Sequence, residues 1–345
     1  MTPNKRVAVD AMGGDGGVNL TIPASLRALQ KNPGLELIFV GDEQRMQPLL
    51  HEADTDVIAR FEVMHAVDAI GDDDKPANVL RSGRESSMFI ATELVKEGKV
   101  QAMVSAGNTG ALLMMGRHLL KTIEGVQKPA IVATIPGARK QTYLLDVGAN
   151  PECDSHQLFE FAVMGTVLAE SLGGKPATVG LLNIGSEQYK GTHAVQQAAR
   201  MMESSPALNY VGFVEANDLF EGAADVVVCD GFVGNVTIKS SAGVANVVKN
   251  LLADQIRESL LTRLSGFSSS SMLTRLSQQI NPQRFNGASL LGLQGSIVKS
   301  HGNATEEGFF YAIQQAIHEI ENSVPQLIAD RVADIIQAST AAAAE

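Results

Sequence analysis

Short apolar runs rich in β-branched residues recur along this chain, and most end in a glycine or a small polar cluster. They begin with "VAVDAMGGDGG" (Val7–Gly17) and continue through "LIFVGD", "VQAMVSAGNTGA", "PAIVATIPGA", "TYLLDVGAN", "ATVGLLNIGSEQYKGT", "NYVGFVEAND", "DVVVCDGFVGN" and "LLGLQGSIVKSHGN". Longer stretches with helical spacing separate many of them, such as "VLRSGRESSMFIATELVKEG" and "QLFEFAVMGTVLAESL". A strand that is apolar on both faces must be covered on both. The alternation therefore predicts an α/β protein, a three-layer α/β/α sandwich around a mostly parallel, doubly wound sheet. In such sheets ligands bind at the carboxyl ends of the strands, where these polar clusters sit, so one cleft is expected to collect them.

With 345 residues, 45% of them hydrophobic, the chain can bury a large core, and residues 1–330 are read as one catalytic domain. A net charge of -11 argues against a nucleic-acid binder, which needs a basic surface. Two cysteines, Cys153 and Cys229, are far apart in sequence and outside zinc spacing, which suits a reducing cytoplasm. The most apolar candidate for a membrane span, "GALLMMGRHLL", is interrupted by Arg117 and His118, so any membrane contact is expected to be peripheral.

Residues 240–285 break the rhythm. Val244, Val247, Val248, Leu251, Leu252, Ile256, Leu260 and Leu264 form a helical stripe, and "GFSSSSMLTRLSQQINPQRF" follows as a loop and a short second helix. Between Ser259 and Phe285 stand Arg263, Arg275 and Arg284 and no acid. The segment reads as a protruding amphipathic hairpin, either a dimer contact or a docking surface for an acidic partner or a membrane. Residues 331–345, ending in "QASTAAAAE", read as a low-complexity tail.

Several loops share one build: strand, glycine, then a residue able to cap a helix. Asn108 and Thr109 precede "ALLMMGRHLL", Asn235 precedes "VTIKSSAGVANVV", Thr192 precedes "HAVQQAARMM", and Asn303 with Glu306 has capping-box spacing. Each such helix start offers unpaired backbone N–H groups to an anion, and Lys190, Lys239, Lys299 and His301 lie in or beside these loops. Glycine-rich turns let main-chain donors approach closely, which makes Gly13, Gly14, Asp15, Ser105, Gly107, Asn108, Thr109, Gly185, Lys239 and Lys299 the candidate phosphate or substrate positions. No P-loop, dinucleotide fingerprint or nucleophile elbow is present. Asp10, Asp15, Asp146 and Asp230 read as braces for their loops rather than metal ligands, and no metal or cofactor is expected.

Taken together, "VAVDAMGGDGG", "SAGNTGA", "LDVGAN", "LLNIGSEQYKG", "EGAADVVVCDGFVGNVTIK" and "GASLLGLQGSIVKSHG" resemble the bacterial acyl-carrier-protein:phosphate acyltransferase family, in order from about Val7 to Asn322. The resemblance implies a fold like that of isopropylmalate dehydrogenase and phosphate acetyltransferase. It implies transfer of a long-chain acyl group from acyl carrier protein to inorganic phosphate, by a cytoplasmic homodimer associated with the membrane surface. There a membrane glycerol-3-phosphate acyltransferase would use the acyl phosphate for phospholipid synthesis. Lys190, Asn235 and His301 are the expected catalytic residues, Lys190 either stabilising the oxyanion or forming a transient acyl-lysine. Competing readings are a phosphate acetyl- or butyryltransferase acting on coenzyme A thioesters, a metal- and NAD-dependent decarboxylating dehydrogenase on the same scaffold, and a non-catalytic regulatory protein.

Overall fold

Side chains of a strand alternate between two faces, and in the first strand the alternation reads Val7 and Val9 into one apolar cluster, Ala8 into another. The computed structural model describes residues 5–71, 73–137, 140–173, 175–261 and 282–342. Its strands are β1 (Lys5–Asp10), β2 (Leu35–Gly41), β3 (Phe61–His65), β4 (Ala102–Ser105), β5 (Ala130–Ile135) and β6 (Thr142–Leu145), then β7 (Thr178–Leu182), β8 (Asn209–Val214), β9 (Val226–Val228), β10 (Ala288–Leu291) and β11 (Ser296–Lys299). They form one 11-stranded sheet in the order β3-β2-β1-β4-β11-β10-β5-β6-β9-β7-β8. Helices cover both faces, which gives the expected three layers. Over β1 and β4 the helices Val18–Lys31 and Glu306–Glu321 pack on one side and Ser87–Lys96 and Thr109–Leu119 on the other. Phe39, Phe161 and Phe309 are fully buried; truncating any of them to alanine would cost about 3–5 kcal/mol.

The sheet is not parallel throughout. β10 runs antiparallel to both β11 and β5, and β5 antiparallel to β6. The remaining pairings are parallel, so β6, β9, β7 and β8 run opposite to β1, β2, β3, β4 and β11. This reversal corrects the expectation that all strand ends share one edge. Asp10, Ser105 and Lys299 lie at one edge of the sheet; Leu145, Leu182 and Val228 end at the other.

Local readings also change. The run "LLGLQGSIVKSHGN" is two strands, β10 and β11, joined through Gly292 at φ 90, a conformation that favours glycine. β3 was invisible to the apolar pattern because it is an edge strand with Glu62 outward, paired with Arg6 at 2.7 Å. The long helical pattern from Val79 divides at Gly83 into Pro76–Ser82 and Ser87–Lys96, the second capped by Ser86. The last helix runs Val324–Ala342, across the boundary expected at 330, because Val332 is buried and Arg331 bonds Glu170 at 2.8 Å.

Candidate active site

β1 and β11 both flank β4 and run parallel to it, so their three following loops emerge side by side. The turn after β1 is held by Asp10. Its carboxylate is buried and accepts hydrogen bonds from Ser87 Oγ and Ser105 Oγ, each 2.6 Å, and from Met12 N at 3.3 Å. Burial raises the Asp10 pKa above the ordinary carboxylate value, and these donors partly offset it. Gly13 has no room for a side chain: a Cβ there would fall 2.7 Å from Gly107 N and 2.8 Å from Asp10 Oδ2. At Gly14, φ 79, a Cβ would lie 2.8 Å from both Ala106 Cβ and Gly302 O. Asp15 N donates to Gly302 O at 2.9 Å, while its side chain is exposed. Three glycine-bearing turns are therefore packed main chain against main chain.

The predicted residues divide in how they sit here. Ser105 is fully buried and committed to Asp10, and Gly107 N donates to Ser105 Oγ at 3.0 Å. Lys299 is buried and its Nζ donates to Ala106 O at 3.1 Å and to Ser300 O, so its charge sits under the turns and braces them. Asn108 caps the helix Thr109–Leu119, its Oδ1 accepting from Ala111 N at 3.0 Å, and Thr109 is exposed at the helix start. His301 reaches solvent at the mouth of the turns. The protein crowded around its imidazole, and next the charge of Lys299, hold its pKa below the ordinary histidine value. The helix that follows is capped by Thr305, whose Oγ1 accepts from Gly308 N at 3.2 Å, and not by Asn303.

The other loops form a second group beyond the reversed strands. Asp146 is buried, and its carboxylate accepts from the main-chain N of Ile131, Gly148, Ala149 and Asn150 and from Asn150 Nδ2, at 2.7 to 3.1 Å. Asp230 caps the long helix Gly231–Leu261 by accepting from Val233 N at 2.8 Å. That helix therefore begins four residues before Asn235, which is not a cap; Asn235 lies inside it, half-buried beside Gly148. Lys239, one turn further on, is exposed. Thr192 does cap its helix, accepting from Val195 N at 3.3 Å. Lys190 is half-buried and paired with Glu187 at 2.7 Å, and it lies across Gly185, where a Cβ would fall 2.5 Å from Nζ. The two groups are linked: Val147 and Ala149 of the Asp146 loop pack on the cluster holding Leu112 and Met115 of the helix that Asn108 caps.

Residues that the pattern left unmarked do much of the holding. Ser87 starts a helix and bonds Asp10, 77 residues away, with no local signal for it; Asn150 bonds Asp146 within its own loop and also donates to Pro129 O at 2.8 Å, 21 residues away. Among the described residues, no three acids, imidazoles or thiols gather as a metal site, and no helix is long and apolar enough to cross a membrane. Cys153 and Cys229 are free thiols, both raised above the ordinary value first by burial, Cys153 to about 12. Among the described residues, a concavity of about 570 Å³ lies along the edge strand β8 and another of about 250 Å³ is bounded by Arg284 and Asn286, both outside the turns. Arg284 is exposed on the 3-10 turn Pro282–Phe285, whereas Arg263 and Arg275 fall outside the described residues.

The family described as "Fatty acid synthesis protein" matches residues 5–327. A phosphate acyltransferase from Shewanella loihica is 44% identical over 335 residues, covering 96% of this chain and 98% of that protein. Among solved structures, a phosphotransacetylase from Streptococcus pyogenes superposes with a TM-score of 0.62 at 17% identity, covering 93% of this chain and 95% of its own. The EutD phosphotransacetylase from Staphylococcus aureus gives 0.56 at 17%, covering 95% and 94%. At that identity these two establish the fold alone, the same layered sheet with its helices. The near full-length match to the curated relative and the match over residues 5–327 go further: this chain is an acyltransferase and belongs to the phosphate acyltransferase family of fatty acid synthesis proteins.

Proposed function

We propose that the protein moves a long-chain acyl group from the phosphopantetheine thioester of acyl carrier protein to inorganic phosphate, giving acyl phosphate and the carrier's free thiol. The observation that carries this reading is the packing of three glycine turns around Asp10, Gly107 and Gly302 with the exposed His301 at their mouth. Main-chain N–H groups of such turns suit a phosphate. A phosphate oxygen attacks the carbonyl carbon, a tetrahedral oxyanion forms, the C–S bond breaks, and the departing thiolate takes a proton. Lys190 and Asn235 belong to the second group of loops, and the reading assigns them the oxyanion from that side, where Asn235 lies beside Gly148 in the loop that packs against the cluster of Leu112 and Met115. With its pKa lowered, His301 is neutral at pH 7, so it binds phosphate as an N–H donor and relays a proton rather than supplying a standing charge. Gly14, Asn108 and Thr109 hold the anion, with Gly13, Gly107, Asp10, Ser105 and Lys299 shaping and supporting the turns from below. Lys190 meets substrate only after its 2.7 Å pairing with Glu187 opens.

The same reading extends to the surface. The helix Gly231–Leu261 leaves Val244, Val247, Val248 and Leu251 at 40 to 65% exposure, an apolar stripe that supports a contact with a second copy or with the membrane surface. The protein would then work in the cytoplasm at the membrane face, beside the acyltransferase that consumes acyl phosphate.

The deciding experiment is phosphate-dependent release of the carrier thiol by purified protein, run in parallel with acyl-coenzyme A as donor. Lys190→Ala is expected to lower kcat by about 100-fold or more, the scale of removing one oxyanion donor. Retention of near-normal turnover by a folded Lys190→Ala protein would sink the assignment of Lys190. Equal use of both donors would move the reading to coenzyme A thioesters.

A further inference from the structure

The loop that carries His301 is held from outside by a residue that belongs to none of the chemistry-bearing motifs. Asn286 follows the turn Pro282–Phe285 and is 4% exposed. Its Oδ1 accepts from His301 N at 3.0 Å and from Gly287 N at 3.0 Å, while its Nδ2 donates to Ser300 Oγ at 2.8 Å. One amide thus grips two successive residues of the loop with both of its ends. Three residues earlier, Gln283 Oε1 accepts from Thr305 N at 3.3 Å and Thr305 Oγ1 at 3.1 Å, which fixes the far end of the same loop. Gly308 makes room for the pair, since a Cβ there would lie 2.9 Å from Asn286 Nδ2 and closer still to Gln283 Oε1.

We propose that Asn286 is a positioning residue for acyl transfer: by fixing the main chain at His301 and the hydroxyl of Ser300 it holds the imidazole at the mouth of the glycine turns. The inference rests on the reading of the His301 loop as part of the phosphate site. A neutral amide suits the task because it offers an acceptor and a donor at once. Aspartate would keep the acceptor, lose the donor, and place a negative charge beside His301, which favours the imidazolium.

The test compares Asn286→Ala, Asn286→Asp and Ser300→Ala with His301→Gln, and uses Ser289→Ala as a control. Ser289 is buried on the neighbouring strand β10 and bonds Glu319, not the loop, so its loss reports fold damage alone. Thiol release is measured as kcat and as KM for phosphate, with thermal melting alongside. Asn286→Ala is expected to lower kcat at least tenfold and Ser300→Ala by a smaller factor, while Ser289→Ala stays within threefold at an equal or larger loss of melting temperature. In Asn286→Asp the acid limb of the pH profile should move to higher pH. Were Asn286→Ala to keep kcat within threefold while His301→Gln is impaired, the positioning role would be overturned and the phosphate-site reading would stand. Full activity of His301→Gln would overturn both.

Discussion

Asp10 is a carboxylate at a site proposed to hold an anion, yet both of its oxygens are turned into the protein by Ser87 and Ser105. The repulsion expected of an acid beside phosphate is thereby avoided. Space at this turn is equally committed, so Gly13→Ala is expected to displace Gly107 and to raise KM for phosphate at least tenfold in the thiol-release assay. His301 can be checked by pH. Because its pKa is lowered, the neutral ring persists into more acid solution, and its acid limb of kcat/KM should lie below about pH 6.5. His301→Gln should remove that limb, leaving only the one set by phosphate itself. Glu319 gives a stability prediction of definite sign. It is buried beneath Ser289 and Gln315, and burial raises its pKa from 4.5. The folded state then binds a proton that the unfolded state has released, so stability falls as pH rises from about 4.5 through the raised value. Glu319→Gln removes this penalty, and melting temperature should rise relative to the wild type at pH 8 by about 1–3 °C, with the gain vanishing near pH 4.

At the level of elements, the helix starts follow the local capping pattern at two loops and depart from it at two others, where a tertiary neighbour moves the start. Asn108 and Thr192 cap as expected. Asn303 loses to Thr305 because Gln283 holds Thr305 in place. Asn235 loses to Asp230 because the helix start is pressed onto the Asp146 loop: a Cβ at Gly231 would fall 2.7 Å from Asn150 O, and one at Gly234 would overlap Asp146 O. Neither neighbour is adjacent in sequence. The apolar stripe of the same helix was legible by its spacing alone, and its exposure is a matter of tertiary placement. Replacing Val247 and Leu251 by aspartate should reduce binding to anionic vesicles or shift the oligomeric state in sedimentation, with KM for phosphate unchanged. No effect on either would leave the stripe without a partner.

For the whole molecule, stability is spread over both halves of a single sheet, and the C-terminal helix straps the second half. Val324, Ile328 and Val332 are buried in the same cluster as Phe161, and Arg331 pairs with Glu170. Ending the chain at 330 should therefore lower the melting temperature by about 5 °C, where a frayed tail would change nothing. The sequence by itself determined the layered α/β class, most of the strands and the family, because burial on two faces and glycine at strand ends leave local marks. It also marked the loops to which the proposed reaction is assigned. Only the tertiary structure decided that β5 and β6 pair antiparallel, sending Asp146, Lys190 and Asn235 away from the edge that holds Asp10 and His301. It likewise decided that Ser87, Asn150 and Asn286 hold those loops. The physical reason is that strand direction and buried side-chain hydrogen bonds depend on partners brought close by the fold, 77 residues away for Ser87 and 15 for Asn286, and hydrophobic spacing does not record them.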